Sequence, residues 1–184
     1  LCAEDDVTHG CFEDTFKADQ QPVAVHQVIK AHRFDHGYLF GADVTITCHR
    51  DLRDVAASAV RRRMISPAIP DVVPFLLRAA YTEHGEWLRY AALDVQYEVA
   101  MAKPLRVAKA LGAALGLEVD YTKALHLVDS LQVPQKSTDP EVLLHPGHVT
   151  DGAHGTWASV LPPHTIEAIE VVFRDWLKGY GYLK

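Results

Sequence analysis

Cysteine is scarce: Cys2, Cys11 and Cys48 are the only three in 184 residues. An odd number with no metal-ligand spacing excludes a disulfide framework. It points to a reducing compartment, and a cytoplasmic location is expected. Long apolar runs are also missing. None approaches the ~18 residues of a membrane span, and no secretory pattern of basic start, apolar core and small-residue site is present. Positive charge is in deficit, with 18 Lys and Arg against 24 Asp and Glu, a net charge of -6. That balance excludes a general nucleic-acid surface, so any anion site must be a local basic patch. Neither HExxH nor CxxC occurs. Eleven histidines, with His145, His148 and His154 in one loop, leave an unrelated metal enzyme as an outside reading. Loop histidines are more often solvated, so no metal site is expected. Internal repeats and low-complexity segments are absent.

What is present is ordinary globular composition, 48% hydrophobic and 23% charged. The length suits one domain over 1–184, with an irregular, acidic segment at 1–22. Strands are predicted over Val23 to Ala31 and Asp43 to Cys48, the second short and apolar like a central parallel strand. Gly37 and Gly41 break the stretch between them. Asp51 is a plausible N-cap for a helix with an apolar stripe at Val55, Ala56, Ala59 and Val60. Further helices are predicted from Asp71 to Leu93, Pro104 to Leu115 (stopped by Gly116), Tyr121 to Leu131 and Pro163 to Lys178, with a short strand within Ala91 to Tyr97. Val133 to Gly155 reads as a long loop. The order implies an α/β fold, a mostly parallel sheet flanked by helices.

Four places carry possible chemistry. His49 to Arg63 holds Arg50, Arg53, Arg61, Arg62 and Arg63 against Asp51 and Asp54. It starts where a strand ends and a helix begins, the edge at which open α/β sheets bind ligands and helix N-termini bind phosphate. An arginine fork at Arg50 with the Ser58 hydroxyl suits one phosphate group. Lys30 and His32, two apart at a strand end, project together. A lysine can stabilise charge in transfer, and a histidine can take a proton from a hydroxyl. Tyr97 can stack on a base. Gly152 and Gly155, just before Trp157, suggest a tight loop against a ligand. Read alone, each also fits a plainer role: a solvated basic face with Arg–Asp pairs, an exposed strand end, a core tyrosine, a turn anchored by a buried tryptophan.

Taken in order, from about Val23 onward, these residues resemble the cytosolic-type sulfotransferase family, which uses 3′-phosphoadenosine 5′-phosphosulfate (PAPS). Lys30-Ala31-His32 resembles the family's Lys-Thr-His. Arg50 through Ser58 matches an arginine followed eight residues later by a serine, the most specific piece. Tyr97-Glu98 resembles the start of Tyr-Glu-Asp-Leu, Leu105 to Leu117 the helix ending in Leu-Gly-Leu, and Gly152 to Trp157 the Gly-x-x-Gly-x-Trp loop. The resemblance implies a P-loop-NTPase-like sulfotransferase fold, N-terminally incomplete. It implies that Arg50 and Ser58 hold the 3′-phosphate of PAPS or its product PAP, that Tyr97 lies near the adenine, and that Gly152 to Gly155 close over the nucleotide. His32 would be the general base and Lys30 the stabiliser of the sulfuryl group. The second substrate would be a small-molecule hydroxyl acceptor.

Two departures stand beside this. No Pro-Lys-Ser-Gly-Thr-Thr-Trp-like loop occurs; the lone Lys136-Ser137-Thr138 has no glycines and sits late. The family's Arg-Lys pair before the glycine loop is Thr150-Asp151 here. Since each lost oxyanion-type donor costs ~3–4 kcal/mol in the transition state, this chain alone is expected to transfer poorly. A start at Leu1 leads us to expect that the natural protein continues upstream. The alternative is a non-catalytic sulfotransferase-like binding protein.

Overall fold

The computed structural model describes residues 7–12, 26–31, 33–131 and 154–184. The chain divides into two compact units, 1–45 with 99–152, and 46–98 with 153–184. His32 and Gly152 lie outside the described residues, as does most of the 133–155 loop.

In the first unit, β1 (Val7–Phe12) pairs in parallel with β2 (His26–Lys30). β1 corrects the expectation of an irregular 1–22: Val7 to Phe12 is a strand because β2 offers it a ladder, which local composition does not reveal. Helix α1 (His36–Gly41) lies where glycines suggested a break. Asp35 caps it by accepting from the Gly37 N–H at 2.6 Å. Helix α6 (Pro104–Leu115) begins on its proline and ends at Gly116, whose φ of 65° is the left-handed stop that glycine adopts without strain. Helix α7 (Tyr121–Leu131) starts where the Asp120 carboxylate accepts the N–H groups of Thr122 and Lys123. A shallow groove of about 480 Å³ beside the start of α6 involves none of the candidate catalytic or nucleotide-binding residues.

The second unit holds β3 (Ile46–His49), parallel to β4 (Leu93–Gln96), with Thr47 opposite Asp94 and His49 opposite Gln96. Helix α2 (Leu52–Arg61) follows β3 after two residues. Asp51 is its cap, as the sequence predicts, accepting from the Arg53 N–H at 2.9 Å. Ala56, Ala57 and Ala59 are buried on α2, and such small side chains let a neighbouring helix approach closely. The predicted helix from Asp71 onward is three consecutive pieces: α3 (Ile69–Leu77), a π-helical stretch (Arg78–His84) and α4 (Gly85–Leu88). The Gly85 N–H donates to the Ala80 carbonyl, the wide i→i+5 bond of a π-turn. A Cβ at 85 would stand 3.1 Å from that oxygen, so glycine suits the turn. Helix α5 (Tyr97–Ala102) continues directly from β4. The C-terminal helix is broken at Phe173 into α8 (Pro163–Val172) and α9 (Arg174–Gly179).

The core of this unit joins Leu52 and Ala56 of α2, Val72 and Leu76 of α3, Ile169 of α8, and Phe173 and Leu177. Burying side chains of this size contributes roughly 1.5–3 kcal/mol each. One polar group is sealed among them. Thr165 is fully buried, and its hydroxyl donates to the Pro67 carbonyl at 2.8 Å. Thr165→Val keeps the shape but orphans that carbonyl, so it should cost about 1–2 kcal/mol in a urea melt.

Candidate functional site

Arg50 follows β3 directly and precedes the cap of α2, so it sits at the carboxyl end of a parallel strand. Its guanidinium lies 4.3 Å from the centroid of the Tyr97 ring, at the matching end of β4. The register of β3 on β4 therefore brings together two residues 47 apart in sequence. Arg50 Nη2 stands 3.9 Å from the buried Asp54 carboxylate. That is looser than the 2.7 Å ion pair of Arg53 with Asp51.

Arg53, counted in the basic patch from sequence, has a structural role. Its guanidinium bonds both Asp51 oxygens, Glu170 Oε1 at 2.6 Å and the Tyr182 carbonyl at 3.0 Å, and lies over the Trp157 ring. Burial works against its charge. The hydrogen bonds and charges of Asp51 and Glu170 outweigh that and hold its pKa above the ordinary value. Glu98 is a similar tie: Oε1 accepts the Asp51 N–H and Oε2 accepts the Tyr182 hydroxyl. Burial, and then this bond to Glu98, push the Tyr182 hydroxyl well above the usual range.

Asp54, Ser58 and Arg61 recur on α2 at i, i+4 and i+7, one face of the helix. The turn at Gly155 meets this face. The Gly155 N–H donates to Asp54 Oδ2 at 2.6 Å, and Arg61 Nη1 donates to the Thr156 hydroxyl at 3.0 Å. Gly155 has a φ of 76°, so the turn requires a residue tolerant of the left-handed region. Ser58 is half-buried on the same face. Arg50, Ser58, Tyr97 and Gly155 thus belong to one compact unit. Lys30, on β2, belongs to the other. Asp54, which links Arg50 to the glycine turn, enters the sequence reading as the i, i+4 partner of Arg50 on a basic helix face. Its place in the first turn of α2 is the other signal the sequence carries.

A second cluster escaped the sequence reading. His49 Nδ1 lies 2.9 Å from Asp94 Oδ2 and His84 Nε2 lies 3.1 Å from Asp94 Oδ1, while the Thr47 hydroxyl donates to Asp94 Oδ1 at 2.8 Å. The sequence reads β3 as a short, apolar strand like those at the centre of a parallel sheet. Instead Thr47 is buried and His49 points inward, while Ile46 and Cys48 are exposed. The pleat places Thr47 and His49 on one face, and Asp94 on the adjacent strand satisfies both. Burial pushes the Asp94 carboxyl upward. Hydrogen bonds from His49, His84 and Thr47 overcome this and hold it well below the usual carboxylate range. Tyr180 tilts over His49 at 4.0 Å between ring centroids. Its hydroxyl is pushed up to about 12 by burial, with the Asp94 charge and a hydrogen bond to Asp94 adding to the shift.

These elements, parallel strand pairs feeding helices, make up an α/β fold of the sulfotransferase type. Solved structures carry the comparison. Mouse sulfotransferase SULT7A1, complexed with PAP, matches at a TM-score of 0.57 and 14% identity, over 83% of this chain and 65% of that one. Retinol dehydratase with androsterone and the inactive cofactor PAP matches at 0.61 and 17%, over 88% and 55%. The same protein with retinol and PAP matches at 0.60 and 18%, over 88% and 56%. This chain therefore spans between 55% and 65% of the length of these neighbours. No family profile and no curated protein matches it. Among the described residues, no helix is long and apolar enough to cross a membrane.

Proposed function

We propose that this chain binds PAPS and PAP and carries the larger part of a sulfotransferase, moving a sulfuryl group to the hydroxyl of a small acceptor. The single observation behind this reading is the Arg50–Tyr97 stack at the carboxyl ends of β3 and β4, beside the α2 face that carries Ser58. A nucleotide with a 3′-phosphate suits such a place: the ring offers a face to adenine, and the guanidinium with the serine hydroxyl offers donors to the phosphate. Gly155 shapes the turn, and its N–H is already given to Asp54. The fold is shared with proteins solved with PAP bound.

In the proposed transfer, the acceptor oxygen forms its bond to sulfur as the sulfur–oxygen bond to the 5′-phosphate breaks, and the electron pair leaves with PAP. The acceptor proton passes to His32, and Lys30 offsets charge on the sulfuryl oxygens. Catalysis is then mostly positioning and charge stabilisation. Titration calorimetry should show PAP binding at least ~10-fold tighter than adenosine 5′-monophosphate, the increment expected of a charge-assisted phosphate contact. Equal affinity would sink the reading. His32→Ala should lower transfer from PAPS to a phenol by about 10²–10⁴-fold with PAP affinity unchanged.

A second reading is favoured by one observation: these 184 residues contain no glycine-rich phosphosulfate loop. On that reading the chain grips the nucleotide but transfers nothing. PAP binding together with no transfer above the uncatalysed rate selects it.

A further inference from the structure

We infer that His49, His84 and Asp94 form a zinc site, with one nitrogen from each imidazole and a carboxylate oxygen as ligands. This stands whether or not the chain binds PAP. The three side chains come from β3, the π-helical stretch and β4, and their ligand atoms all lie within 4.8 Å of one another. Ligands about 2.0–2.1 Å from a tetrahedral ion are about 3.3 Å apart, close to the 2.9 and 3.1 Å nitrogen-to-oxygen separations here. The two separations run to different oxygens of Asp94, so the ion enters as the carboxylate or one imidazole turns to bring one atom from each residue, now within 4.8 Å of one another, to that spacing. Two imidazoles and one carboxylate are a donor set that suits Zn²⁺ better than the all-oxygen ligation of Ca²⁺ or Mg²⁺.

Three further features single this cluster out. The side chains of His49, His84 and Asp94 are 7%, 9% and 17% exposed, so they are withdrawn from water, unlike a chance surface grouping. His84 ends the seven-residue π-helical stretch, an irregularity frequent at functional sites, and its Nε2 lies 3.1 Å from Asp94 Oδ1. The carboxylate is held in place by the Thr47 hydroxyl, and the rings of Trp176 and Tyr180 pack against the imidazoles. Three protein ligands leave a fourth position for water. Bound there, the ion would join β3, β4 and the π-helical stretch within one unit, so its first effect would be on stability.

The test uses the whole chain after chelator treatment and dialysis. Calorimetry with Zn²⁺ should find one equivalent bound, and saturating Zn²⁺ should raise the thermal midpoint by about 5–10 °C. His49→Gln and His84→Gln, whose amides can still donate to Asp94, should each weaken binding by at least about 10–100-fold. The triple replacement of His145, His148 and His154 by Gln should leave it intact. Should either single variant fail to fold, Co²⁺ absorption of the parent decides. The inference expects the d–d bands of a four-coordinate nitrogen and oxygen site and no thiolate charge-transfer band from the nearby Cys48. It is overturned by no Zn²⁺ equivalent in the parent, by a thiolate band, by undiminished binding in both single variants, or by loss of binding in the triple variant.

Discussion

Arg53→Ala is expected to destabilise the protein by about 3–5 kcal/mol, the usual cost of removing one partner from a buried ion pair. The guanidinium and the Asp51 carboxylate are 8% and 9% exposed, so water does not replace the lost partner. The same change strips donors from Glu170 and from the Tyr182 carbonyl, and a cation from the face of Trp157. In a chain of this size the thermal midpoint should fall by about 6–20 °C. Arg53→Lys keeps a charge but loses the planar fork, so it should recover only part of that loss. Near-ultraviolet circular dichroism during heating reads both, through Trp157 and Tyr182. A shift of under about 2 °C for the alanine variant would show that Arg53 does not hold this network.

On the proposed reading, Arg50→Ala is expected to act on the ligand instead. Loss of a charge-assisted contact of about 1.5–3 kcal/mol predicts PAP binding weaker by about 10–150-fold, with little change for adenosine 5′-monophosphate. The alanine variant also leaves the buried Asp54 with the Gly155 N–H and without its nearest cation, so some stability is lost as well. Arg50→Lys controls for this. It keeps a positive charge beside Asp54 and should fold like the parent, yet lose the bidentate geometry and with it about tenfold in PAP affinity. Calorimetry on the three proteins separates the two effects. Unchanged discrimination between PAP and adenosine 5′-monophosphate in Arg50→Ala would remove Arg50 from the 3′-phosphate site.

Arg50 and Arg53 are three residues apart with identical side chains, and the sequence counts both in one basic patch while assigning only Arg50 to a phosphate. They differ because of what approaches from elsewhere. α8 brings Glu170 and the C-terminus brings Tyr182 to Arg53, whereas Arg50 meets Tyr97 across the β3–β4 pair. No local pattern encodes which arginine is enclosed. The β3 face tells the same story. Alternation along Ile46-Thr47-Cys48-His49 allows either face to be buried. The polar one is buried only because Asp94 and His84 wait there to satisfy it.

The features that the sequence alone determined are those decided within one or two helical turns. The Asp51 cap, the proline start and glycine stop of α6, the bounds of α7 and the apolar stripe of α2 depend on side chains acting on their own backbone. The order of strands and helices, also local, made the fold class legible. Only the tertiary structure decided that Val7 to Phe12 pairs as a strand and that a π-turn interrupts the long helix after α3. The same is true of Arg53's burial in an ion-pair network and of the meeting of His49, His84 and Asp94. Each of these requires contacts between residues far apart in the chain. Their free energy depends on which surfaces meet, and a linear pattern does not carry that information.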